Sequence, residues 1–299
     1  MHPSYLDLPR GILEERASKL WKVLGSCTLC PHKCKVDRLK GEKGFCRLGP
    51  MPLVSSAEPH FGEEAPISGW KGSGTIFFTG CNLACVFCQN FELSQLRMGS
   101  KVSFEGLADM MVSLQDLGCH NINLVTPTPQ VASIVKALPI AIGRGLKVPI
   151  VYNTGGYDSV EALRLLRGVV DVYMPDVKYG DDRVAGKYSL VRDYYARAKE
   201  AVKEMHRQVG DLVSDEKGVA VKGLLVRHLV LPVGLAGSAE VFRFLAEEVS
   251  KNTFVNVMGQ YHPCYKADEY PELSRRASCE EVKEAVELAR KAGLKRIIT

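Results

Sequence analysis

Seven of the ten cysteines in this 299-residue chain fall into two groups whose spacing suits metal chemistry. Cys81, Cys85 and Cys88 stand as C-x3-C-x2-C inside the stretch from Gly80 to Asn90. Cys27, Cys30, Cys34 and Cys46 stand as C-x2-C-x3-C-x11-C, with Gly41 and Gly44 supplying tight turns before the last. Soft thiolate ligands select zinc or iron–sulfur clusters. The number of ligands separates the two groups. A closed structural site takes four, whereas a reactive centre keeps one position open. The N-terminal four suit a closed site, either zinc or a [4Fe-4S] cluster, and a metal there holds a short polar segment together without a core of its own. The three at 81–88 leave room for a further ligand; the plainer alternative is a zinc knuckle completed by a distant residue. Of the others, Cys119 and Cys279 read as small core residues at helix ends, and Cys264 as either reactive or buried.

These groups need elements to hold them. Thr75–Thr79, entered through Gly72-Ser73-Gly74, is apolar, β-branched and aromatic, which predicts a buried strand feeding directly into the three-cysteine loop. Residues 10–24 carry a helical apolar set ended by Gly25, just before the four-cysteine group. Residues 51–71, rich in Pro and Gly, read as a loop-rich linker in which His60, Glu63 and Glu64 sit more simply in a solvated turn than in an active site. From there helices and strands alternate. The helices are 103–118, 130–145, 158–166, 238–250 and 278–292, with a polar excursion and a long helix sharing 179–209, and the strands are 121–125, 148–152, 169–174, 223–231, 254–260 and 295–298. Asp158 with Glu161, and Ser278 with Glu281, have capping-box spacing. Such alternation predicts an α/β fold with a parallel sheet and right-handed crossovers. In parallel barrels the chemistry sits on the loops after the strands.

Polar residues cluster at those strand ends. Thr126-Pro127-Thr128-Pro129 follows one strand, and Asn153-Thr154-Gly155-Gly156 the next. Met174, Asp176 and Lys178 are spaced two apart, which places them on one face, where an Asp and a Lys either pair or hold the charged ends of a zwitterion. Arg227 lies in the following long strand, and His262 just after the next. The composition, 46% apolar and 24% charged with a net charge of +5, is that of a globular protein with no marked bias toward nucleic acid. The first sixteen residues do not read as a signal peptide, and no stretch reads as a membrane span. Ten cysteines without a secretory signal point to metal rather than disulfides, and to a reducing, cytoplasmic setting.

The three-cysteine loop resembles that of the radical S-adenosylmethionine enzymes, and the Met-Pro-Asp-Val-Lys stretch resembles pyruvate formate-lyase activating enzyme. The N-terminal Cys-Pro-His-Lys-Cys segment is similar to that of that enzyme's less characterised relatives. The resemblance implies a partial parallel (βα)6-type barrel over residues 67–299, preceded by a helix and a cysteine-rich metal-binding segment over residues 1–66. It implies that Cys81, Cys85 and Cys88 hold a [4Fe-4S] cluster whose fourth iron is chelated by S-adenosylmethionine. Around that cofactor it places Phe87, Asn90, Thr126, Thr128, Asn153, Thr154, Met174, Asp176, Lys178 and His262. A monovalent cation is expected beside Thr154, Met174 and Asp176, although Asn153 stands where the family has Asp. Thr126 and Thr128 stand where the family carries a Gly-Gly-Glu-like stretch. Asp176, Lys178 and Arg227 are the residues expected to act in catalysis. The implied activity is reductive cleavage of S-adenosylmethionine and hydrogen abstraction from a protein or peptide, as a glycyl radical enzyme activase does, with flavodoxin or ferredoxin as electron donor. A small-molecule or RNA substrate is the alternative within this class. A non-catalytic iron–sulfur electron-transfer protein is the alternative outside it.

Overall fold

The computed structural model describes residues 2–299. In chain order its main elements are α1 (Ile12–Val23), β1 (Leu53–His60), α2 (Ala65–Ser68), β2 (Ser73–Phe78), α3 (Phe91–Ser94), β3 (Ser100–Lys101), α4 (Phe104–Asp116), β4 (Ile122–Val125), α5 (Val131–Gly143) and β5 (Ile150–Thr154). There follow α6 (Val160–Leu165), β6 (Val172–Pro175), α7 (Asp182–Ser189), α8 (Tyr194–Val209), β7 (Val213–Ser214), β8 (Ala220–Leu229), α9 (Ser238–Phe244), β9 (Phe254–Met258), α10 (Cys279–Lys291) and β10 (Arg296–Ile298). The sheet order is β10-β9-β8-β6-β5-β4-β2-β1-β3, with β7 paired to β8. From β2 to β10 every neighbouring pair on this path is parallel, while β1 runs antiparallel to β2 and to β3.

Each new parallel strand is added on the same side of the last. The order never reverses, so right-handed crossovers carry the helices that link parallel strands to one face and the sheet curls around the other. The curl stays open, between β3 at one edge and β10 at the other. Strand side chains alternate accordingly. Tyr152, Tyr173 and Val226 join the outer core with α4 and α5, whereas Val151, Val172, Met174 and Leu225 fill the inner face.

Several expectations are corrected. Residues 51–71 are not a linker, because β1 occupies 53–60 and pairs with β2 along most of its length. The turn after it folds inward, so that Ile67 is fully buried among Val151, Val172, Met174 and Leu225 and plugs the lower end of the curl. The polar excursion and long helix expected over 179–209 are a short helix, α7, and then the long helix α8, the two separated at Leu190, whose φ of 56° is left-handed. The cap of α6 is Ser159, which accepts from the Ala162 N–H, so Asp158 is released for the interior. The Ser278–Glu281 capping box forms as expected. Cys119 is buried but Cys279 is exposed, so only the first is a core residue.

Candidate active site

The loops after the parallel strands enclose a cavity of about 250 Å³. Cys81, Cys85, Phe87, Cys88 and Asn90 form one wall. Thr126 comes from the loop after β4, Asn153 and Thr154 from the end of β5, Asp176 and Lys178 from the loop after β6, and Arg227 from β8. The cysteine loop is pinned from both sides. Ala84 and Val86 donate to the carbonyls of Ser189 and Tyr188 at the end of α7, and Val86 accepts from the Lys266 N–H. Phe87 is buried edge-on to Tyr179 and Tyr261. Gly80 opens the loop at φ 77°, with Leu48 already 2.8 Å from where a Cβ would stand.

The thiols have polar neighbours that tolerate a thiolate. The Leu83 N–H donates to Cys81 Sγ at 3.3 Å, the Ser189 hydroxyl donates to Cys85 Sγ at 2.9 Å, and Cys88 Sγ lies 3.1 Å from the Ser94 hydroxyl. Burial pushes the Cys85 thiol up to about 11 and Cys81 higher still, each also raised by its cysteine neighbours. Three thiolates together therefore need a cation to form. Among the described residues no three His, Cys, Asp or Glu side chains are already closed around one metal-sized point.

Below the cysteines lies a charged layer. Asp176 accepts from Lys178 Nζ and, at 2.8 Å, from Arg227 Nε. Arg227 also donates to Asn153 Oδ1 at 2.6 Å and to Glu63 Oε2 at 3.3 Å. Glu63 Oε1 accepts from Asn123 at 2.9 Å, and Glu64 accepts from Asn256 at 2.8 Å. Burial by itself would raise the Asp176 carboxyl, but Arg227 and Lys178 outweigh it and hold it below the usual carboxylate value. Burial would likewise lower the Lys178 ammonium, but Asp176 and Cys85 outweigh it and hold it above the usual lysine value. For Glu63 burial wins over Arg227 and the carboxyl is raised. Glu63 and Glu64, expected in a solvated turn, thus lie inside the barrel against the site.

The remaining expected residues divide into those on the cavity wall and those behind it. Thr154 lines the cavity, and its hydroxyl donates at 2.6 Å to Asp158, which also accepts from Thr128 at 2.7 Å and from Tyr152 at 3.0 Å. Thr128 is therefore a buried brace and not a wall residue, while Thr126 lines the cavity from a left-handed φ of 59°. Burial raises the Asp158 carboxyl against the three hydroxyl donors that lower it. Met174 faces the same interior as Asp176 but one layer deeper, packed on Val151 and Ile67, and does not line the cavity. His262 stands outside the lining, 3.2 Å from the Gln89 side chain, which is itself on the wall. Gly156 is a second obligatory glycine: at φ 83° a Cβ would lie 2.2 Å from the Asp176 carbonyl oxygen.

The N-terminal cysteines form a compact group of their own. Burial pushes the Cys30 thiol up to about 12, and the thiols of Cys46, Cys27 and Cys34 are close enough to raise it further. Arg38 is 2% exposed, donates to the carbonyls of Pro129 and Gly49, and points Nη1 toward Cys27 Sγ at 3.8 Å. The group touches the barrel loop directly, because His32 Nε2 lies 2.9 Å from the carbonyl oxygen of Asn82.

The Radical SAM superfamily model matches residues 75–216, which take in the strand feeding the cysteine loop, the three cysteines, and Asp176 and Lys178 of the charged layer. The uncharacterized protein MJ0674 of Methanocaldococcus jannaschii is 36% identical over 98% of this chain and 80% of its own length. The chain belongs to the radical SAM superfamily. Among solved structures, HydG, a maturase of the [FeFe]-hydrogenase, matches 74% of this chain at 13% identity with a TM-score of 0.50, a likeness of fold. This chain spans about half (49%) of the HydG chain. Methylornithine synthase (PylB) covers 98% of this chain at 14% identity with a TM-score of 0.46. Radical SAM membership implies a [4Fe-4S] cluster and S-adenosylmethionine, and this radical SAM chain has donors that fit them. Three thiols of one loop share a cavity wall and face an Asp–Lys pair of the kind that holds a zwitterion. Among the described residues no helix is long and apolar enough to cross a membrane.

Proposed function

We propose that this radical SAM enzyme abstracts a hydrogen atom from a protein or peptide, in the manner of a glycyl radical enzyme activase. When bound, the cluster and S-adenosylmethionine supply the one-electron cleavage that gives a 5′-deoxyadenosyl radical. The chain's own residues then have separable tasks. Cys81, Cys85 and Cys88 hold the cluster. Lys178 offers an ammonium to the cofactor's carboxylate, and Asp176, fixed by Arg227, sets the position of Lys178. Thr126, Asn153 and Thr154 present oxygens to the cofactor's polar end, and Phe87, Leu229 and Met258 give the apolar wall that keeps water from the reacting carbon.

The observation that supports a peptide is the shape of the interior. Pockets for drug-sized ligands run from about 300 to 1,000 Å³. This cavity is about 250 Å³, and its floor is the Asp176–Arg227–Glu63 layer with Ile67 beneath. Among the described residues the cavity ends on that charged layer, so the substrate hydrogen enters from the mouth. A chain segment reaches in that way while the rest of its protein stays outside. The test is anaerobic formation of 5′-deoxyadenosine with dithionite, with fractions of a cell extract added back. Stimulation by a protease-sensitive macromolecular fraction is expected. Stimulation by the filtrate of small molecules, or by a nuclease-sensitive fraction, would contradict the peptide reading.

A further inference from the structure

The chain's positive charge is concentrated in one place. Between Pro31 and Leu48 stand six basic residues against Asp37 and Glu42, so these eighteen residues carry a net of four of the chain's +5. Lys33, Lys35, Lys40, Lys43 and Arg47 are all exposed. Among them only Lys40 is ion-paired within the described residues, to Asp37 at 3.6 Å. The one large aromatic ring in this patch, Phe45, is 37% exposed and stacks on His32 with ring centroids 3.9 Å apart. His32 in turn reaches the Asn82 carbonyl at 2.9 Å, one residue beyond Cys81. On the same side Leu48 packs against Gly80. The patch is therefore two side-chain contacts from the three-cysteine loop. Yet no residue of 27–48 lines the cavity where the substrate must enter.

We propose that this basic face of the four-cysteine segment is the docking surface for a small acidic protein that delivers single electrons to the barrel site. The proposal rests on the radical reading above, which requires an external reductant. A partner seated here reaches the outer side of the cysteine loop but not the substrate space, so it hands over electrons and not hydrogen atoms. One electron leaves the partner's reduced group, the barrel centre gains one, and no atom crosses. Unpaired exposed lysines and an exposed ring give an acidic partner both steering and a contact to rest on.

The experiment measures binding of the full reconstituted protein to a flavodoxin, used as an acidic one-electron probe, over a salt series. The test variant replaces Lys33, Lys35, Lys43 and Arg47 with glutamine. Each exposed pair contributes little alone, and four together should weaken binding by about tenfold or more and flatten its salt dependence. Dithionite-driven 5′-deoxyadenosine formation should stay at the unmodified level. Lys33, Lys35 and Arg47 have left-handed φ values of 43°, 57° and 57°. If the fourfold variant does not fold, Lys40→Gln with Lys43→Gln carries the same test with an expected loss of about threefold. Binding unchanged in the variants overturns the proposal. So does tighter binding of a 20-nucleotide poly(U) RNA that is lost in the same variants, which would assign the patch to nucleic acid. Absence of 5′-deoxyadenosine from the unmodified protein would instead fault the radical reading, and the binding result would remain interpretable.

Discussion

Replacing Glu63 with glutamine tests whether the carboxylate beneath Arg227 belongs to the site. Glu63 is 9% exposed and shares Arg227 with Asp176 and Asn153. Glutamine keeps an oxygen for Asn123 and Asn153 but turns an amide N–H toward the guanidinium. A hydrogen bond to a charged group is worth about 1.5–3 kcal/mol. The Nη1–Oε2 distance of 3.3 Å is long, and burial already offsets part of the charge's value by raising the carboxyl, which puts the cost at about 1–2 kcal/mol. For a chain of this size that lowers the melting temperature by about 2–6 °C. Because Arg227 also orients Asp176, S-adenosylmethionine should bind about three- to tenfold more weakly, up to about 1.4 kcal/mol. Glu63→Ala should cost about 3–5 kcal/mol, since besides the counter-charge it removes the acceptor for Asn123 and Asn153 and leaves a cavity. The assays are thermal melting and equilibrium titration of S-adenosylmethionine against anaerobically reconstituted protein. Wild-type melting and wild-type affinity in Glu63→Gln would reduce the inward loop to a plug and refute its part in positioning Arg227.

Asp176→Asn should keep the fold and the cluster but weaken S-adenosylmethionine binding by one to two decades, because it removes charge-assisted bonds worth about 1.5–3 kcal/mol; an unchanged dissociation constant would take Asp176 and Lys178 out of the site together. His228 is fully buried between the Val177 carbonyl and the Ser238 hydroxyl, and burial lowers its pKa from 6.5 to about 4. Below 6.5 the unfolded chain takes up a proton that the folded one refuses. The contribution is therefore whole above pH 6.5 and is lost as pH falls through about 4, a total of roughly 3 kcal/mol. Denaturant titrations from pH 7 to 4 should show the loss in the wild type and a flatter profile in His228→Gln, and parallel profiles would contradict it.

The parts of the site legible in the sequence are those encoded over short range. The three cysteines fall on one wall because their spacing and the preceding strand act within a dozen residues. Period-two alternation placed Asp176 and Lys178 on the cavity wall and Met174 on the same interior face. It carries no depth, which is why Met174 lies one layer down against Ile67. Glu63 and Glu64 were illegible because a Pro- and Gly-rich stretch bearing carboxylates has the composition of a wet turn. Their burial is set by Asn123, Arg227 and Asn256, 60 to 192 residues away. Asp158 had the spacing to cap α6, and only tertiary packing, through Thr128, Tyr152 and Thr154, drew the aspartate inward and left the cap to Ser159. The break at Leu190 had no glycine to announce it.

The central claim is that Cys81, Cys85 and Cys88 hold the cluster at which S-adenosylmethionine is cleaved. It is tested most directly by reconstituting the wild type and the Cys81→Ala/Cys85→Ala/Cys88→Ala variant side by side without oxygen. Each is then measured for bound metal, for the electron paramagnetic resonance of the dithionite-reduced protein, and for 5′-deoxyadenosine. The wild type should show a reduced [4Fe-4S] signal that shifts on adding S-adenosylmethionine, and should form 5′-deoxyadenosine. The variant should lose both while keeping whatever metal Cys27, Cys30, Cys34 and Cys46 bind. An S-adenosylmethionine-responsive signal, or 5′-deoxyadenosine formation, surviving in the variant would contradict the account.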